Sequence, residues 1–227
     1  VNVYSKCELE GKRRLWETLR MSKGGFGRGA WCVIGDFNAV LHREERWGVN
    51  DITFHSSSVE MVEFEAFVNH MELEDIPSLG RKFTWFHSNG ISMSRIDRAM
   101  VSDEWINFWG YPSLWILPRS VSDHCALLLR HNVVDWGPKP FRFKNHWLQN
   151  NEFKVLVEDS WRSQQLTGWM GFILKEKLKG LKGVIREWNK EAYGVLDSKI
   201  MLLVEEIKQK DLRGEAFVLT EEEVELR

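Results

Sequence analysis

The sequence predicts an α+β protein, a strand-rich sandwich segment followed by a mostly α-helical extension, and three observations predict it. Over residues 1–132 short apolar runs alternate with turn-like clusters, the texture of strands with helices interspersed. From about residue 150 the apolar residues recur every three or four positions in a charged background, which is helical texture. Between the two, DWGPKP at 135–140 carries two prolines and a glycine that neither element type accommodates. The expected division is a first domain over 1–134, a linker over 135–148 and a helical connector over 149–227.

Taken in order, NVY reads as the end of a strand over 1–4. A helix follows over 12–21 with Leu15, Trp16 and Leu19 facing inward, and then KGGFGRG reads as a loop whose glycines do not match the GxGxxG phosphate cradle. A strand over 31–35 runs into GDFN. The next helix, over 58–71, has Ser58 as its expected cap and sets Met61, Phe64, Phe67, Val68 and Met71 on one face. Further strands are expected over 82–86, 94–101, 114–117 and 125–130. In the extension, Leu174, Leu178, Leu181, Ile185, Trp188, Ala192, Leu196, Ile200, Leu203 and Ile207 step by three or four, close to a heptad seam that suits a coiled coil or a helix packed on a partner. Gly180, Gly183 and Gly194 each cost about 1 kcal/mol in a helix interior, so a break near Gly194 is expected.

Composition excludes several classes. The 227 residues, 43% of them hydrophobic, are enough to bury a substantial core. No apolar run approaches the ~18 to 20 residues of a membrane span, and VNVYSKCELEGKRR lacks the layout of a signal peptide. Cys7, Cys32 and Cys125 have neither disulfide nor zinc-site spacing and read as small buried or half-buried residues. A net charge of −2 gives no global pull toward nucleic acid. Twelve tryptophans, many in runs such as FTWF and INFWGYPSLW, read first as core filler and second as base-stacking platforms. Six Lys or Arg against three Glu over 172–193 suit a solvated face or a nucleic-acid contact.

Three polar clusters end or punctuate apolar runs: GDFN (Asp36, Asn38), SRIDR (Asp97) and SDH (Asp123, His124). Singly each has an ordinary explanation. GDFN reads equally as an Asx turn, Asp97 as one half of a surface ion pair, and His124 as a hydrogen-bonded core residue. On an extended strand Asp36 and Asn38 point to one side. Together the clusters hold the parts that phosphodiester hydrolysis needs: a proton acceptor, a neutral donor, an imidazole with a group to orient it, and a carboxylate for a cation. A Ser122-Asp123-His124 triad does not fit, because consecutive residues on an extended chain cannot converge.

The order GDFN, then Thr84-Trp85, then SRIDR, then SDH resembles the endonuclease/exonuclease/phosphatase superfamily, and within it the endonuclease domain of plant non-LTR retrotransposons (long interspersed elements). FRFKNHW, KEKLKGLKG and REWNKEAYG resemble the segment that leads in those elements toward a reverse transcriptase. The resemblance spans about 1–194. It implies a four-layer α/β/β/α sandwich, here lacking its N-terminal part, and a nuclear DNA endonuclease dependent on Mg2+ or Mn2+. It assigns Asp36 to proton transfer beside the attacking water and Asn38 to a phosphate oxygen. Asp97 would orient His124, His124 would stabilise charge on the phosphate, and Asp123 would help to hold the cation, with Asp36 and Asn38 near a second cation position. Tyr4 matches an active-site tyrosine after a strand, although SKC follows it where the family has asparagine or proline. The family's early asparagine and its principal metal-binding glutamate lie upstream of the NVYS-like strand, where this sequence opens, so the expectation for the chain as given is a fragment with little or no activity. Two other functions fit the residues: a non-catalytic protein that self-associates or binds RNA through 172–210, and a phosphatase of the same superfamily.

Overall fold

A computed structural model describes residues 1–27, 29–48, 54–131, 137 and 140–225, with backbone alone for 54–58. Of DWGPKP only Gly137 and Pro140 fall within these, so the expected boundary itself lies mostly outside the described residues. The chain forms two compact units, Val1–Val134 with Val204–Arg227, and Asp135–Leu203. Residues 204–227, part of the expected connector, therefore group with the first unit.

The first unit is built on a four-stranded sheet. Its strands are β1 (Asn2–Tyr4), β2 (Cys32–Asp36), β4 (Leu73–Asp75) and β8 (Asp97–Ser102), in the order β1-β2-β8-β4, with β1 parallel to β2 and the other pairs antiparallel. Alternation along β2 and β8 gives the sheet two apolar faces. Val33 and Met100 look toward α1 (Leu9–Phe26) and α2 (Phe54–His70), where they join Trp16, Leu19, Phe64, Phe67 and Val68. Trp16 stacks on Phe64 and Phe67 at 5.5 and 5.8 Å between ring centroids, so three aromatics carry this interface, each contributing about 1.5–3 kcal/mol by burial. On the other face Cys32, Ile34, Ala99 and Val101 meet Leu114 and Ile116 of β9 (Ser113–Ile116) together with Phe83, Phe86 and Cys125.

Strand β9 pairs with β10 (Leu127–Arg130) and β5 (Ser78–Leu79), while β3 (Arg46–Trp47), β7 (Met93–Ser94) and β6 (Trp85–Phe86) form a third small sheet. The expected strands over 82–86 and 94–101 are thus shorter or split. Helix α1 runs through Lys23-Gly24-Gly25, which the sequence reading assigned to a loop, and stops at Gly27, which adopts φ 73° and returns its N–H to the Lys23 carbonyl. Helix α2 starts at Phe54, so Ser58 lies inside it rather than at its cap. The short α3 (Asp103–Trp109), capped by Ser102, was not anticipated.

The second unit condenses around Trp147, Phe153, Ile185 and Trp188. Trp147 sits in a 3-10 turn (Asn145–Gln149) and donates its indole N–H to Asn189 at 2.9 Å. Phe153 comes from α4 (Asn151–Ser163), whose first turn is capped by the Asn150 side chain. Ile185 and Trp188 come from α5 (Met170–Ala216), whereas α6 (Glu221–Glu225) belongs to the first unit. The W of FRFKNHW and the W, N and Y of REWNKEAYG therefore meet in one small core. Helix α5 does not break at Gly194. Its central residues Leu181, Ile185, Trp188 and Tyr193 are held by that core, which offsets the glycine cost. Among the described residues no helix is long and apolar enough to cross a membrane.

Candidate active site

Asp36 ends β2 and Asp97 begins β8, and the antiparallel register sets them directly opposite each other. Gly35, just before, stands at φ 139°, and a Cβ there would meet the Val3 carbonyl oxygen at 2.1 Å. GDFN needs its glycine because β1 passes so close. Beyond Asp36 the chain turns. Asn38 adopts φ 50°, a left-handed conformation that asparagine tolerates better than most residues. Its backbone N–H donates to Asp36 Oδ1 at 2.8 Å, and its amide Nδ2 donates to Asp36 Oδ2 at 3.0 Å and to the Ser5 carbonyl at 2.8 Å. Asp36 and Asn38 converge, but through this turn and not through the strand alternation read from the sequence.

His124 arrives from the second apolar layer. Its segment is zipped onto β6: Phe86 donates to the Asp123 carbonyl at 3.0 Å and Cys125 to the Thr84 carbonyl at 2.7 Å. His124 Nδ1 then lies 2.9 Å from Asp97 Oδ2 and 3.2 Å from Oδ1. Ligand atoms of Asp36, Asp97 and His124 all fall within 4.8 Å of one another. Asp123 stands outside this trio, accepting from Trp85 Nε1 at 2.9 Å. Tyr4 is the register partner of Asp36 on β1, and its side chain is 82% exposed.

Electrostatics separates the roles. The Asp97 hydrogen bond outweighs burial and raises the His124 pKa above its usual 6.5, so the ring is charged further into the neutral range. Burial is the main cause that lifts the Asp36 carboxyl above the usual carboxylate range; the Asn38 N–H opposes it, and Asp97 across the strands adds to it. Partial burial pushes Asp123 upward too, but the Trp85 indole N–H and backbone donation overcome it and hold that carboxyl low.

The arginines of SRIDR do not pair with Asp97, correcting the surface ion pair read there. Strand alternation sends Arg98 to the opposite face, where it is fully buried against Glu45 and, at 2.6 Å, Asp75. Arg95 joins the same two carboxylates at 2.8 and 2.9 Å. The sequence marks Thr84 only as part of the motif order and gives it no role. This fully buried hydroxyl oxygen accepts from both the Ile96 and Asp97 N–H groups, at 3.1 and 3.0 Å, and so fixes the start of β8. The signal for it was a polar residue inside the apolar run FTWF.

The donor set also tests the implied cation. Magnesium prefers near-octahedral oxygen ligation. Both Asp36 oxygens accept from Asn38, and both Asp97 oxygens face His124 Nδ1. Among the described residues Asp36, Asp97 and His124 are the group whose ligand atoms lie close enough to share an ion, but they offer two carboxylates and one ring nitrogen, short of the all-oxygen octahedron that magnesium prefers. No protein-family model matches the chain, and no curated protein matches it by sequence.

Proposed function

We propose that the first unit carries the proton-transfer and phosphate-binding half of a phosphodiester-hydrolysing site, of the DNA endonuclease type found in non-LTR retroelements, on a partial α/β/β/α sandwich. The observation that carries this reading is the Asp97-held His124 within 4.8 Å of a buried Asp36. A histidine whose charged form is favoured by its neighbour suits the negative phosphate. A carboxylate with a raised pKa is a better proton acceptor near neutrality than an ordinary one. The water oxygen bonds to phosphorus, its proton passes to Asp36, and the P–O ester bond breaks, its electron pair leaving with the ester oxygen, which takes a proton from solvent. Asn38 supports this by orienting Asp36, since its amide protons are committed to Asp36 and Ser5 rather than free for a phosphate oxygen. Charge neutralisation by Mg2+ or Mn2+ calls for oxygen ligands beyond those described.

Two measurements test the reading. Titrating the chain with a short DNA duplex should move the His124 ring resonances in a two-dimensional NMR spectrum, and His124→Ala should weaken duplex binding. Residual Mg2+-dependent nicking of supercoiled plasmid, whatever its absolute rate, should fall on the order of 100-fold in Asp36→Asn. Unmoved His124 signals at saturating duplex, or nicking indifferent to both substitutions, would end the proposal.

A further inference from the structure

The second unit holds an apolar groove of ≈ 500 Å³ on α5, floored by Leu178 and Ile185, walled by Phe141 and edged by Lys175, Lys179 and Lys182. The lysines are not scattered. Lys175, Lys179, Lys182, Arg186 and Lys190 step by four, three, four and four, which sets them in one line along the helix immediately beside the apolar seam Leu174, Leu178, Leu181 and Ile185. Glu176, Glu187 and Glu191 fall on the flank away from the seam. Of the five cations only Lys179 makes an ion pair among the described residues, with Glu176 at 3.7 Å. The charge is also segregated along the sequence. Residues 135–203 contain twelve Lys or Arg against eight Asp or Glu, although the whole chain is at −2. Phe141 remains 37% exposed and Phe143, two residues on, 45%.

We propose that this groove binds single-stranded nucleic acid, with bases entering the apolar channel against Phe141 and phosphates following the cationic line. An ordinary solvated face explains the lysines but not an uncovered aromatic wall and apolar floor beside them. A duplex fits poorly, because its base faces are stacked inward and cannot fill an apolar channel, whereas an unstacked strand offers base faces and phosphates side by side. The spacing agrees. Helix rise places successive cations about 5.6 Å apart along the axis, wider than the ~3.4 Å per nucleotide of a stacked strand, as a strand with its bases splayed out requires. An acidic amphipathic helix is the competing occupant, and five aligned cations of which one is ion-paired among the described residues favour a polyanion over it.

The inference is independent of the hydrolytic reading, and its test excludes hydrolysis. Fluorescence anisotropy of labelled 15-nucleotide RNA and DNA strands is followed in EDTA as the full chain is added. Binding in the range of about 1–100 µM at 50 mM salt is expected, with the RNA-to-DNA ratio telling which sugar is preferred. Replacing Lys175, Lys179 and Lys182 together by Gln, a comparable helix former, should weaken binding at least tenfold and reduce the log–log salt slope by about 2. Phe141→Ala should weaken binding about tenfold with the slope unchanged, and far-UV circular dichroism establishes that each variant is folded. No anisotropy change in that range, a salt slope unmoved by the triple substitution, tighter binding of duplex, or tighter capture of an acidic amphipathic peptide would each overturn it.

Discussion

His124 and Asp97 place the most testable chemistry on a single hydrogen bond. A histidine whose folded pKa is raised contributes stability that is fully present below its unfolded value of about 6.5 and is lost as pH rises through the folded value. Stability toward urea should therefore decline across that window, and NMR titration should place the His124 transition above 6.5. In Asp97→Asn the transition should drop to 6.5 or below and most of the decline should vanish; a His124 titration that ignores the substitution would show that some other group holds the ring. Asp36 works with the opposite sign. Its raised pKa means that ionising it costs the fold some stability as pH rises above the usual carboxylate range. Under the proposed hydrolytic reading, that cost falls on the residue that accepts the proton.

Elements carry constraints that no single residue shows. The β6 segment acts as a clip: Thr84 holds the first two N–H groups at the start of β8, while the backbone of Thr84 and Phe86 holds the Asp123–Cys125 segment. Thr84→Val keeps the shape but removes the acceptor, leaving buried N–H groups unpaired at about 1–3 kcal/mol. Chemical denaturation should show that loss, accompanied by broadened His124 resonances. In α5 the glycines divide by their surroundings. A Cβ at Gly183 meets nothing within 4 Å, whereas at Gly180 it would strike Gln164 Oε1 at 2.4 Å, the side chain whose amide donates to the Ser160 and Lys177 carbonyls. Gly183→Ala should raise stability by about 0.5–1 kcal/mol and Gly180→Ala should not, as differential thermal melts will show. The heptad seam is also divided. Leu181, Ile185 and Trp188 serve the core of the second unit, while Leu196, Ile200 and Leu203 remain exposed.

At the scale of the whole molecule, the chain's final stretch belongs to the first unit. Asp211, fully buried, accepts from Arg81 Nη1 at 2.8 Å and from Arg119 Nε at 3.0 Å. Arg81 lies beside Cys125 and Arg119 leads into Ser122-Asp123-His124, so a residue 130 positions away along the chain from Arg81 braces the segment that delivers His124. Asp211→Asn leaves two guanidinium groups without their counter-charge, and equilibrium unfolding should register a loss of about 3–5 kcal/mol. A variant as stable as the parent would mean that residues 204–225 contribute little to the first unit.

The sequence by itself determined the mixed α+β character, the apolar faces of α1 and α2, and the candidate polar residues, because periodicity and the polar ends of apolar runs are local patterns. GDFN was legible in this sense: its aspartate closes a buried strand, and its glycine is required where β1 passes. Only the tertiary structure decided which groups meet. The pairing of His124 with Asp97, the withdrawal of Arg95 and Arg98 to Glu45 and Asp75, the service of Thr84 and the return of Asp211 all join residues 12 to 130 positions apart. Such contacts depend on strand register and on how layers stack. Those are properties of the packed whole, since shifting a strand by one residue would turn Asp97 and Arg98 to each other's faces while leaving the sequence unchanged.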